Sequence, residues 1–573
     1  MFQRFSFFDR FIDLIENKKP SDRILLRLLF FVALVSLILT AVAINDRYVI
    51  SSPTSGGVLV EGMVGIPRFV NPALAITRAD QDSVSLIYSG LMKIDPQGKL
   101  IPDLADTVTV SEDGLTYTIN LRTDARFHDD TPLSARDVLF TIGLIQDPDL
   151  KSPLRGNWID VTTEALGEYA LTITLREAYA PFIENFTFGI MPFHIWNNLP
   201  IEQLPFSQYN TEPIGSGPFM IERILYDASG LISGYVLVPA QNITSNLEAI
   251  ELRYFLNETL LTEALLKGQI LSTVFLSQND IPSLPKEKYK IIEQPLPRVF
   301  AIFFNQNRSA TLRDAAARRA LNAAVNREEL VELVLGGFGV PITTPIVATH
   351  RALLLGTTTE AEIEEATAET PEEILEKGGW RKNDAGVWQK TIDGAVVNLA
   401  VTIRTGNSAM FEATANFVAD SWRQLGVDVE IEQYEQTGLV QSVIRSRDFE
   451  ALLFGLDMNR LQDLYPFWHS SQKDDPGLNI AQYTNVTIDR LLETARTTAD
   501  LPSQFGILEE VSTIIAREVP AIFLYAPSIA YVVDRTIETT DITMLGRPSD
   551  RFMNVTDWHA RTDIVWPMFT DLK

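Results

Sequence analysis

The 573-residue sequence predicts a mixed α/β protein of more than one domain, preceded by one transmembrane helix. Three observations lead to this prediction. The chain is longer than a single hydrophobic core usually supports, so two or three packed domains are expected. Strand and helix patterns alternate along the chain after residue 57 instead of segregating. One apolar run near the start has the length of a membrane span.

The apolar run covers residues 24–44 and reads ILLRLLFFVALVSLILTAVAI. As a helix it would be about 31 Å long, close to the roughly 30 Å hydrocarbon core of a bilayer. Four basic residues between positions 18 and 27 precede its uncharged part, and only Arg47 follows closely. The positive-inside rule therefore puts a leader, residues 1–23, in the cytoplasm and the rest of the chain outside. A cleaved signal peptide is the alternative, because Ala41 and Ala43 form an A-x-A site.

The elements after the predicted span follow in order. Residues 45–56 are expected to form a linker, because they end in the turn-forming residues SSPTSG. Apolar and polar residues alternate in 116–122 and again in 169–176, which predicts two half-buried strands. Helical patterns cover 312–337 and 410–426, and both end in glycine, which is suited to a helix C-cap.

Charge and cysteine content exclude several classes of function. The formal net charge is −26, which repels phosphate backbones and makes nucleic acid a poor candidate partner. The sequence has no cysteine, so disulfides, thiolate nucleophiles, zinc-thiolate sites, iron-sulfur clusters and lipid attachment through cysteine are excluded.

The motif RFHDD at residues 126–130 raises the question of a metal site, because it sets His128 beside two aspartates. A strand pattern precedes the motif, and Ser134 with Asp137 forms an S-x-x-D capping box after it. The motif is therefore predicted to be a loop that joins a strand to a capped helix. The other four histidines are isolated from one another in sequence, so we predict neither a metal site nor a cofactor.

Catalytic motifs are also absent from the sequence. The segment PIGSGPF at 213–219 lacks the G-x-S-x-G arrangement of a nucleophile elbow, no H-E-x-x-H occurs, and no glycine cluster continues into a G-K-[ST] ending. We therefore predict that the protein is not an enzyme and has no catalytic residues.

The segment DGLTYTINLRTDARFHDDTPLSARDVLFTI at 113–142 resembles the signature segment of the family 5 bacterial extracytoplasmic solute-binding proteins, the peptide-binding components of ABC importers. In that family a strand ending in arginine runs through a Phe-His-Asp-Gly loop into a helix, and Asp130 replaces the glycine here. The resemblance covers nearly all of residues 57–530, and Leu271 replaces an acid that is usual at its position. Further matching segments follow in family order at 86–106, 213–221, 312–346, 418–431 and 466–472.

The resemblance implies a two-lobed periplasmic-binding-protein-like clamp of type II, of the peptide-binding class with an extra subdomain. Lobe 1 would comprise residues 57–298, including the extra subdomain, and would be completed by 520–573. Lobe 2 would comprise residues 299–519. The crossings between the lobes would fall near 294–307 and 518–525, where proline stands beside an apolar run, as suits a stiff hinge.

The resemblance also implies which residues bind the ligand. Asp457 or Asp463 would take the ligand ammonium, with a solvated loop acid as the alternative. Arg404 would take the ligand carboxylate, and a surface arginine is the alternative there. Two strips would grip the ligand main chain: the first is Gly62, Met63 and Val64, and the second is Gly455, Leu456 and Asp457. Three aromatic residues would line the pocket unless they belong to the core: Tyr88, Phe467 and Trp468.

The sequence thus predicts a membrane-anchored extracytoplasmic solute-binding protein that captures oligopeptides and presents them to an ABC permease, with energy supplied by a separate ATPase. Two alternatives stay open. The same fold would serve a non-peptide solute such as a nickel chelate, haem, an oligosaccharide or an opine, or the exported part would be a ligand-sensing ectodomain.

Overall fold

The computed structural model describes residues 19, 24–25, 28–37, 39–40, 50–53, 56–95, 98–277, 280–347, 369–458, 460–498, 500–540, 542, 545–560 and 562–565. The chain divides into two compact units. One unit combines Met1–Gly56 with Arg561–Lys573, and the other is Gly57–Ala560.

The described strands are numbered in chain order. Those up to residue 295 are β1 (Ile50–Pro53), β2 (Val58–Val64), β3 (Met92–Ile94), β4 (Leu100–Pro102), β5 (Ala105–Val110), β6 (Thr116–Leu121), β7 (Thr162–Gly167), β8 (Ala170–Thr174), β9 (Phe219–Tyr226), β10 (Ile232–Pro239), β11 (Ala249–Phe255), β12 (Ser272–Thr273) and β13 (Tyr289–Pro295). Those that follow are β14 (Arg298–Phe304), β15 (Gly339–Pro341), β16 (Arg381–Lys382), β17 (Trp388–Ile392), β18 (Ala395–Asn398), β19 (Ala400–Gly406), β20 (Asp428–Tyr434), β21 (Ala451–Asp457), β22 (Ala521–Asp534) and β23 (Thr562–Val565).

The α-helices of the larger unit are α1 (Arg78–Ile87), α2 (Ala135–Gln146), α3 (Phe193–Trp196), α4 (Glu258–Leu266), α5 (Ala310–Arg313), α6 (Ala315–Ala323), α7 (Arg327–Leu335), α8 (Pro371–Lys377), α9 (Ala409–Leu425), α10 (Gln436–Gly438), α11 (Tyr465–Trp468), α12 (Val486–Thr497) and α13 (Leu501–Glu518). Short 3-10 helices cover Arg155–Trp158, Ala180–Thr187, Ile201–Phe206, Gln208–Asn210, Ile281–Ser283, Ser470–Gln472, Pro548–Phe552 and Val555–Asp557, and one π-helical turn covers Leu439–Ile444.

The smaller unit contains part of the predicted transmembrane span. Residues 24–25, 28–37 and 39–40 are helical, whereas the rest of the span and all of the predicted leader except Lys19 lie outside the described residues. Among the residues described, no helix combines the length and the apolar character that crossing a membrane requires.

The predicted linker contains a strand that the sequence did not indicate. β1 pairs antiparallel with β23, with Ile50 opposite Val565 and Pro53 opposite Thr562. The residues of β1 include two serines and a proline and show no regular alternation, so only the distant partner strand defines this element.

The main sheet of the larger unit has 12 strands. It contacts two of the groups of buried apolar residues that are described below. From one edge to the other, the hydrogen-bonded neighbours in this sheet are β20-β19-β21-β14-β22-β12-β2-β11-β10-β9. The two remaining strands, β13 and β15, also pair with β22. β22 is 14 residues long and nearly continuously buried, as expected for a strand that is covered on both faces. Its first part pairs with β14 up to Tyr525, and its second part pairs with β13 from Ser528 onward. The sheet therefore continues from one core group to the other through a single strand.

The buried apolar residues of the described chain form five clusters, which we assign to three groups by their place in the sequence. One group lies between Ala73 and Leu204 and surrounds the four-stranded sheet β5-β6-β8-β7. A second combines β2, α1 and residues 219–296 with residues 529–558. The third lies between residues 299 and 526 and includes Trp380, Trp422 and Trp468, all fully buried.

Most local predictions from periodicity and capping are confirmed. The strand predicted at 116–122 is β6, and the loop RFHDD leads into α2, where the Asp137 carboxylate accepts a hydrogen bond from the Ser134 backbone N–H at 2.9 Å. α7 and α9 end at Gly336 and Gly426, whose φ angles of 56° and 96° are left-handed and favour glycine.

A fully buried ion network fastens the C-terminal part of this unit to its first strand. The Arg551 guanidinium donates to both Asp82 oxygens at 3.0 and 2.7 Å and to a Glu61 oxygen at 2.9 Å. Glu61 also accepts hydrogen bonds from Ser272 and Tyr531. Burial raises the pKa of the Glu61 carboxyl, and the positive charge of Arg551 opposes that shift. β2, α1, β12, β22 and the 3-10 helix Pro548–Phe552 therefore meet at one point.

We predict that Arg551→Ala lowers the free energy of unfolding by about 3–5 kcal/mol, because it leaves two carboxylates buried without their cation. Chemical denaturation of the full chain at neutral pH measures this change. Arg517→Ala is the matched control, because the Arg517 side chain is 70% exposed and its ion pair with Glu518 is on the surface. Equal effects of the two substitutions would show that the buried network is not what stabilises this unit.

Candidate functional site

The first predicted strip lies at the end of β2, where three neighbouring strands terminate together. β2 is parallel to β11, with Val64 opposite Phe255, and it is also parallel to β12, which ends at Thr273. In open α/β sheets, ligands bind beyond the carboxyl ends of parallel strands. Two apolar side chains just beyond these ends, Ile66 and Leu256, are 37% and 72% exposed. This edge of the sheet is therefore the candidate lobe 1 surface of a ligand cleft.

The second predicted strip lies at the end of β21, beside the start of β14. Asp457 is the last residue of β21 and stands opposite Arg298, the first residue of β14. One Asp457 oxygen accepts hydrogen bonds from Arg298 Nε at 3.0 Å and Nη2 at 2.8 Å. The Asp457 side chain is nevertheless 61% exposed, so its other oxygen is open to a ligand.

The glycines of both strips pack closely against the protein itself. A Cβ atom at Gly62 would collide with the Ile270 side chain, and one at Gly455 would lie 2.9 Å from the Phe300 ring. Met63 is fully buried and Leu456 is 7% exposed. Internal packing therefore already requires small residues at these two positions, and it leaves Val64 and Asp457 as the more accessible members of the strips.

Asp463 is part of a stacked cluster that includes Tyr179, the residue before the 3-10 helix Ala180–Thr187. Its carboxylate accepts hydrogen bonds from Arg496 Nε at 3.2 Å and Nη2 at 2.9 Å, and its side chain is only 5% exposed. The Arg496 guanidinium lies 3.9 Å from the ring centre of Tyr465 and 4.4 Å from that of Tyr179. Tyr465 in turn stacks on His469 with ring centres 4.1 Å apart. Asp463 is thus occupied within the protein.

A buried ion pair lies near this stack. Arg460 donates to both Glu184 oxygens, one of them at 3.1 Å from Nε, and the two side chains are 5% and 15% exposed. Burial raises the pKa of the Glu184 carboxyl, and Arg460 opposes the shift. We call Tyr179, Glu184, Arg460, Tyr465 and Arg496 the clasp, because they join the 3-10 helix Ala180–Thr187 to the segment after β21.

The other predicted site residues lie apart from the two strips. Arg404 donates to Glu432 at 2.7 Å and also contacts Asp448, so two carboxylates already neutralise it. Trp468 is fully buried in the core and Phe467 packs against the same core. Tyr88 is 5% exposed, and burial raises its pKa. The roles proposed for these residues stay predictions.

Tyr88 lines a cavity of about 620 Å³ that the sequence did not indicate. Its wall also includes His128, Ser216 and Phe552, but no residue between 299 and 519. Within the described residues, the hydroxyl groups of Tyr88 and Ser216 have no hydrogen-bond partner.

The RFHDD loop is held by hydrogen bonds to the turn at residues 215–217. His128 Nδ1 accepts a hydrogen bond from the Gly215 N–H at 3.3 Å, so Nε2 carries the proton and donates to the Gly217 carbonyl at 3.1 Å. Asp130 adopts a left-handed φ of 66°, the conformation that the glycine of the family loop would adopt readily. Both nitrogens of His128 are therefore engaged inside the fold, and no group of three or more potential ligands for a metal occurs in the described part of the chain.

The sequence profile of bacterial extracellular solute-binding proteins, family 5 Middle, matches residues 99–477. The chain belongs to this family. The resemblance found in the sequence is confirmed, and so is the mixed α/β, two-lobed, periplasmic-binding-protein-like fold. The family consists of substrate-binding proteins that act outside the cytoplasm.

Relatives of this family 5 protein are similar along most of their length. The oligopeptide-binding protein AppA of Bacillus subtilis is 26% identical over 495 residues, which is 83% of this chain and 87% of AppA. The structure of AppA in complex with a nonapeptide has a TM-score of 0.66 at 25% identity and covers 89% of this chain and 99% of AppA. NikZ of Campylobacter jejuni in complex with Ni(L-His) has the same fold, with a TM-score of 0.64, 23% identity and coverage of 88% and 99%.

Three arginines of the family 5 protein were missed by sequence reasoning. Arg298 pairs with Asp457 and Arg460 pairs with Glu184, in each case across more than 150 residues of chain. Arg78, the first residue of α1, lies at the same sheet edge as the first strip. Of the three, only Arg298 has a sequence feature that could have identified it, because it is a charged residue between a proline and an apolar strand in the predicted hinge.

We predict that His128 makes the stability of the protein fall below about pH 6.5, the ordinary pKa of histidine. Desolvation lowers the pKa of His128, although the Gly217 carbonyl and Asp129 oppose the shift. The unfolded chain therefore binds this proton more readily, and the stabilisation present above pH 6.5 is lost as the pH falls towards the lower folded pKa. Thermal melts at pH 7.5 and 5.5 should show a smaller decrease for His128→Gln than for wild type. An equal decrease would assign the pH dependence to other groups.

Proposed function

We propose that this family 5 protein captures peptides outside the cytoplasm and delivers them to the permease of an ABC importer. The observation that carries the proposal is the exposed Asp457 carboxylate at the end of β21, next to the crossing from β13 to β14. The relative AppA is named an oligopeptide-binding protein, and its structure contains a nonapeptide. A separate ATPase would supply the energy, since the chain has no P-loop motif.

The two strand ends suit an extended peptide. Such a ligand pairs its backbone with exposed strand edges, and its charged ends need partners of opposite sign. β2 and β21 both end in residues that are at least partly exposed, Val64 and Asp457. Apolar side chains of the ligand would meet Ile66 and Leu256 beyond the first strip.

We infer that the lobes have the limits expected from the sequence up to residue 560: residues 57–298 with 520–560 for lobe 1, including the extra subdomain, and 299–519 for lobe 2. Residues 561–573, which were expected in lobe 1, belong to the smaller unit. The clusters of buried apolar residues support these limits, because β22 and the connection from β13 to β14 lead from the second group to the third in the described part of the chain, and few other side chains, such as Phe338, pack across. The cleft would then lie between the ends of β2 and β21.

Asp457 is the better candidate for the ligand ammonium. Asp463 is 5% exposed and bonded twice to Arg496, whereas Asp457 is 61% exposed and bonded through one oxygen only. A peptide ammonium enclosed by closing lobes loses its water. Removing the carboxylate that faces it therefore leaves a buried charge without a partner, which is costly.

Isothermal titration of the purified full chain with alanine-rich peptides of two to nine residues tests this proposal. We expect Asp457→Ala to lower the affinity for peptides with a free amino terminus at least about 30-fold, mostly through faster dissociation. N-acetylated peptides should bind weakly to wild type and lose little more on the variant. Asp160→Ala is the matched control, because Asp160 is 58% exposed and also pairs with an arginine, Arg176.

Two outcomes would contradict the proposal in different ways. Unchanged binding of free peptides by Asp457→Ala would remove the ammonium role from this residue while leaving peptide capture intact. Absence of binding to every peptide, together with a nickel chelate, haem, oligosaccharide or opine identified by native mass spectrometry, would assign the same fold to another solute.

We also infer that residues 24–44 anchor the protein in the membrane. The described helical residues of this segment carry exposed apolar side chains, for example Leu28, Phe31 and Leu37 at 60%, 63% and 67%. A run of exposed apolar side chains on helical residues needs a non-aqueous partner.

The anchor predicts that intact protein fractionates with membranes and resists extraction by carbonate. N-terminal sequencing of the material from membranes should then find the residues before position 24. A soluble protein whose first residue is Ile44 would instead show cleavage after Ala43.

A further inference from the structure

Arg78 lies at the carboxyl edge of the parallel strands β2, β11 and β12. It is the first residue of α1, and its guanidinium lies 5.2 Å from the ring centre of Phe275, two residues beyond the end of β12. The Arg78 side chain is half-buried. A guanidinium resting on an aromatic face keeps its hydrogen-bonding edges free.

The guanidinium of Arg78 makes no ion pair or hydrogen bond with any described residue. Two other arginines whose charges act on Arg78 differ in this respect: Arg298 is bonded to Asp457, and Arg551 is bonded to two carboxylates. The acid one turn along α1, Asp82, has both oxygens engaged by Arg551. Arg78 is thus a cation without a carboxylate of its own.

The surroundings make this isolation costly in the absence of a ligand. Burial lowers the pKa of Arg78, and the positive charges of Arg551 and Arg298 act in the same direction, while Asp82 and Glu258 oppose them. Glu258 is an exposed residue at the start of α4. An anion placed at the sheet edge would offset this partly desolvated charge.

We propose that Arg78 binds a carboxylate of the captured peptide and so makes anionic peptides the preferred ligands. The assignment rests on the proposed function. A planar guanidinium presents a fork of donors that matches a carboxylate bidentately. Arg404, the candidate expected from the sequence, is already neutralised by Glu432 and Asp448, whereas Arg78 is not neutralised. The carboxylate comes either from the C-terminus of the peptide or from an acidic side chain.

Titration calorimetry of the full chain with a matched set of peptides tests the assignment. The set comprises one alanine-rich peptide with a free C-terminus, its C-terminal amide, and amides that carry one glutamate or one glutamine. Wild type should bind the peptides with a carboxylate more tightly than the neutral amide. The comparison identifies the source of the carboxylate. It is the C-terminus if amidation alone removes the gain in affinity, and it is a side chain if the glutamate amide binds more tightly than the glutamine amide.

Arg78→Gln should lower the affinity for peptides with the recognised carboxylate by about 10- to 100-fold, because hydrogen bonds to a charged group are lost. The affinity for the neutral amide should not change. Arg78→Lys should retain part of the preference. Arg68→Gln is the matched control, because the guanidinium of Arg68 also rests on an aromatic ring, that of Phe69 at 4.9 Å. It should change none of these affinities.

Three results would overturn the assignment. Equal weakening of neutral and anionic peptides by Arg78→Gln would indicate a packing role. Unchanged affinities with a lower melting temperature would indicate that Arg78 only balances the charges of Asp82 and Glu258. Wild type that binds peptides without any preference for a carboxylate refutes this inference alone, whereas wild type that binds none of the peptides refutes the proposed function as well.

Discussion

The position of the candidate site depends on one buried cation, Arg551. Its two carboxylate partners belong to the elements that form the first strip and its surroundings: Glu61 lies in β2, and Asp82 lies in α1. Burying three charged groups together requires good geometry and several hydrogen bonds, so the network is tightly constrained, although Arg551 Nε has no hydrogen-bond partner among the described residues. The end of β2 and the start of α1, which carries Arg78, are consequently fixed relative to each other before any ligand arrives.

The clasp has a different role, because it connects segments that belong to different core groups. Tyr179 and Glu184 come from the region of the four-stranded sheet, whereas Arg460, Tyr465 and Arg496 come from the third group. An arginine between two tyrosine rings and a buried arginine-glutamate pair depend strongly on geometry. The Arg298–Asp457 pair therefore holds the end of the second strip, and the clasp holds the segment that follows it.

Local features could be predicted from the sequence, whereas contacts between distant residues could not. α2, α9 and β6 follow from periodicity, capping residues and terminal glycines, all of which act within a few residues. The clasp joins Arg460 to Glu184 across 276 residues, and no local pattern encodes such a pair. Gly62 and Gly455 show a further limit: the resemblance placed them in strips that would grip a ligand, but the sequence did not reveal that Ile270 and Phe300 already require a small residue at these positions.

The continuity of β22 has a mechanical consequence. Because this strand is hydrogen-bonded to β14 in its first part and to β13 in its second, sliding one side of the molecule past the other would break both ladders. Where these two ladders meet, Tyr525, Ala526 and Pro527 pair with β15. The strand therefore links the two sides through one continuous backbone, so any rotation between them has to be taken up within the few residues around Pro527, where one partner strand is replaced by the next.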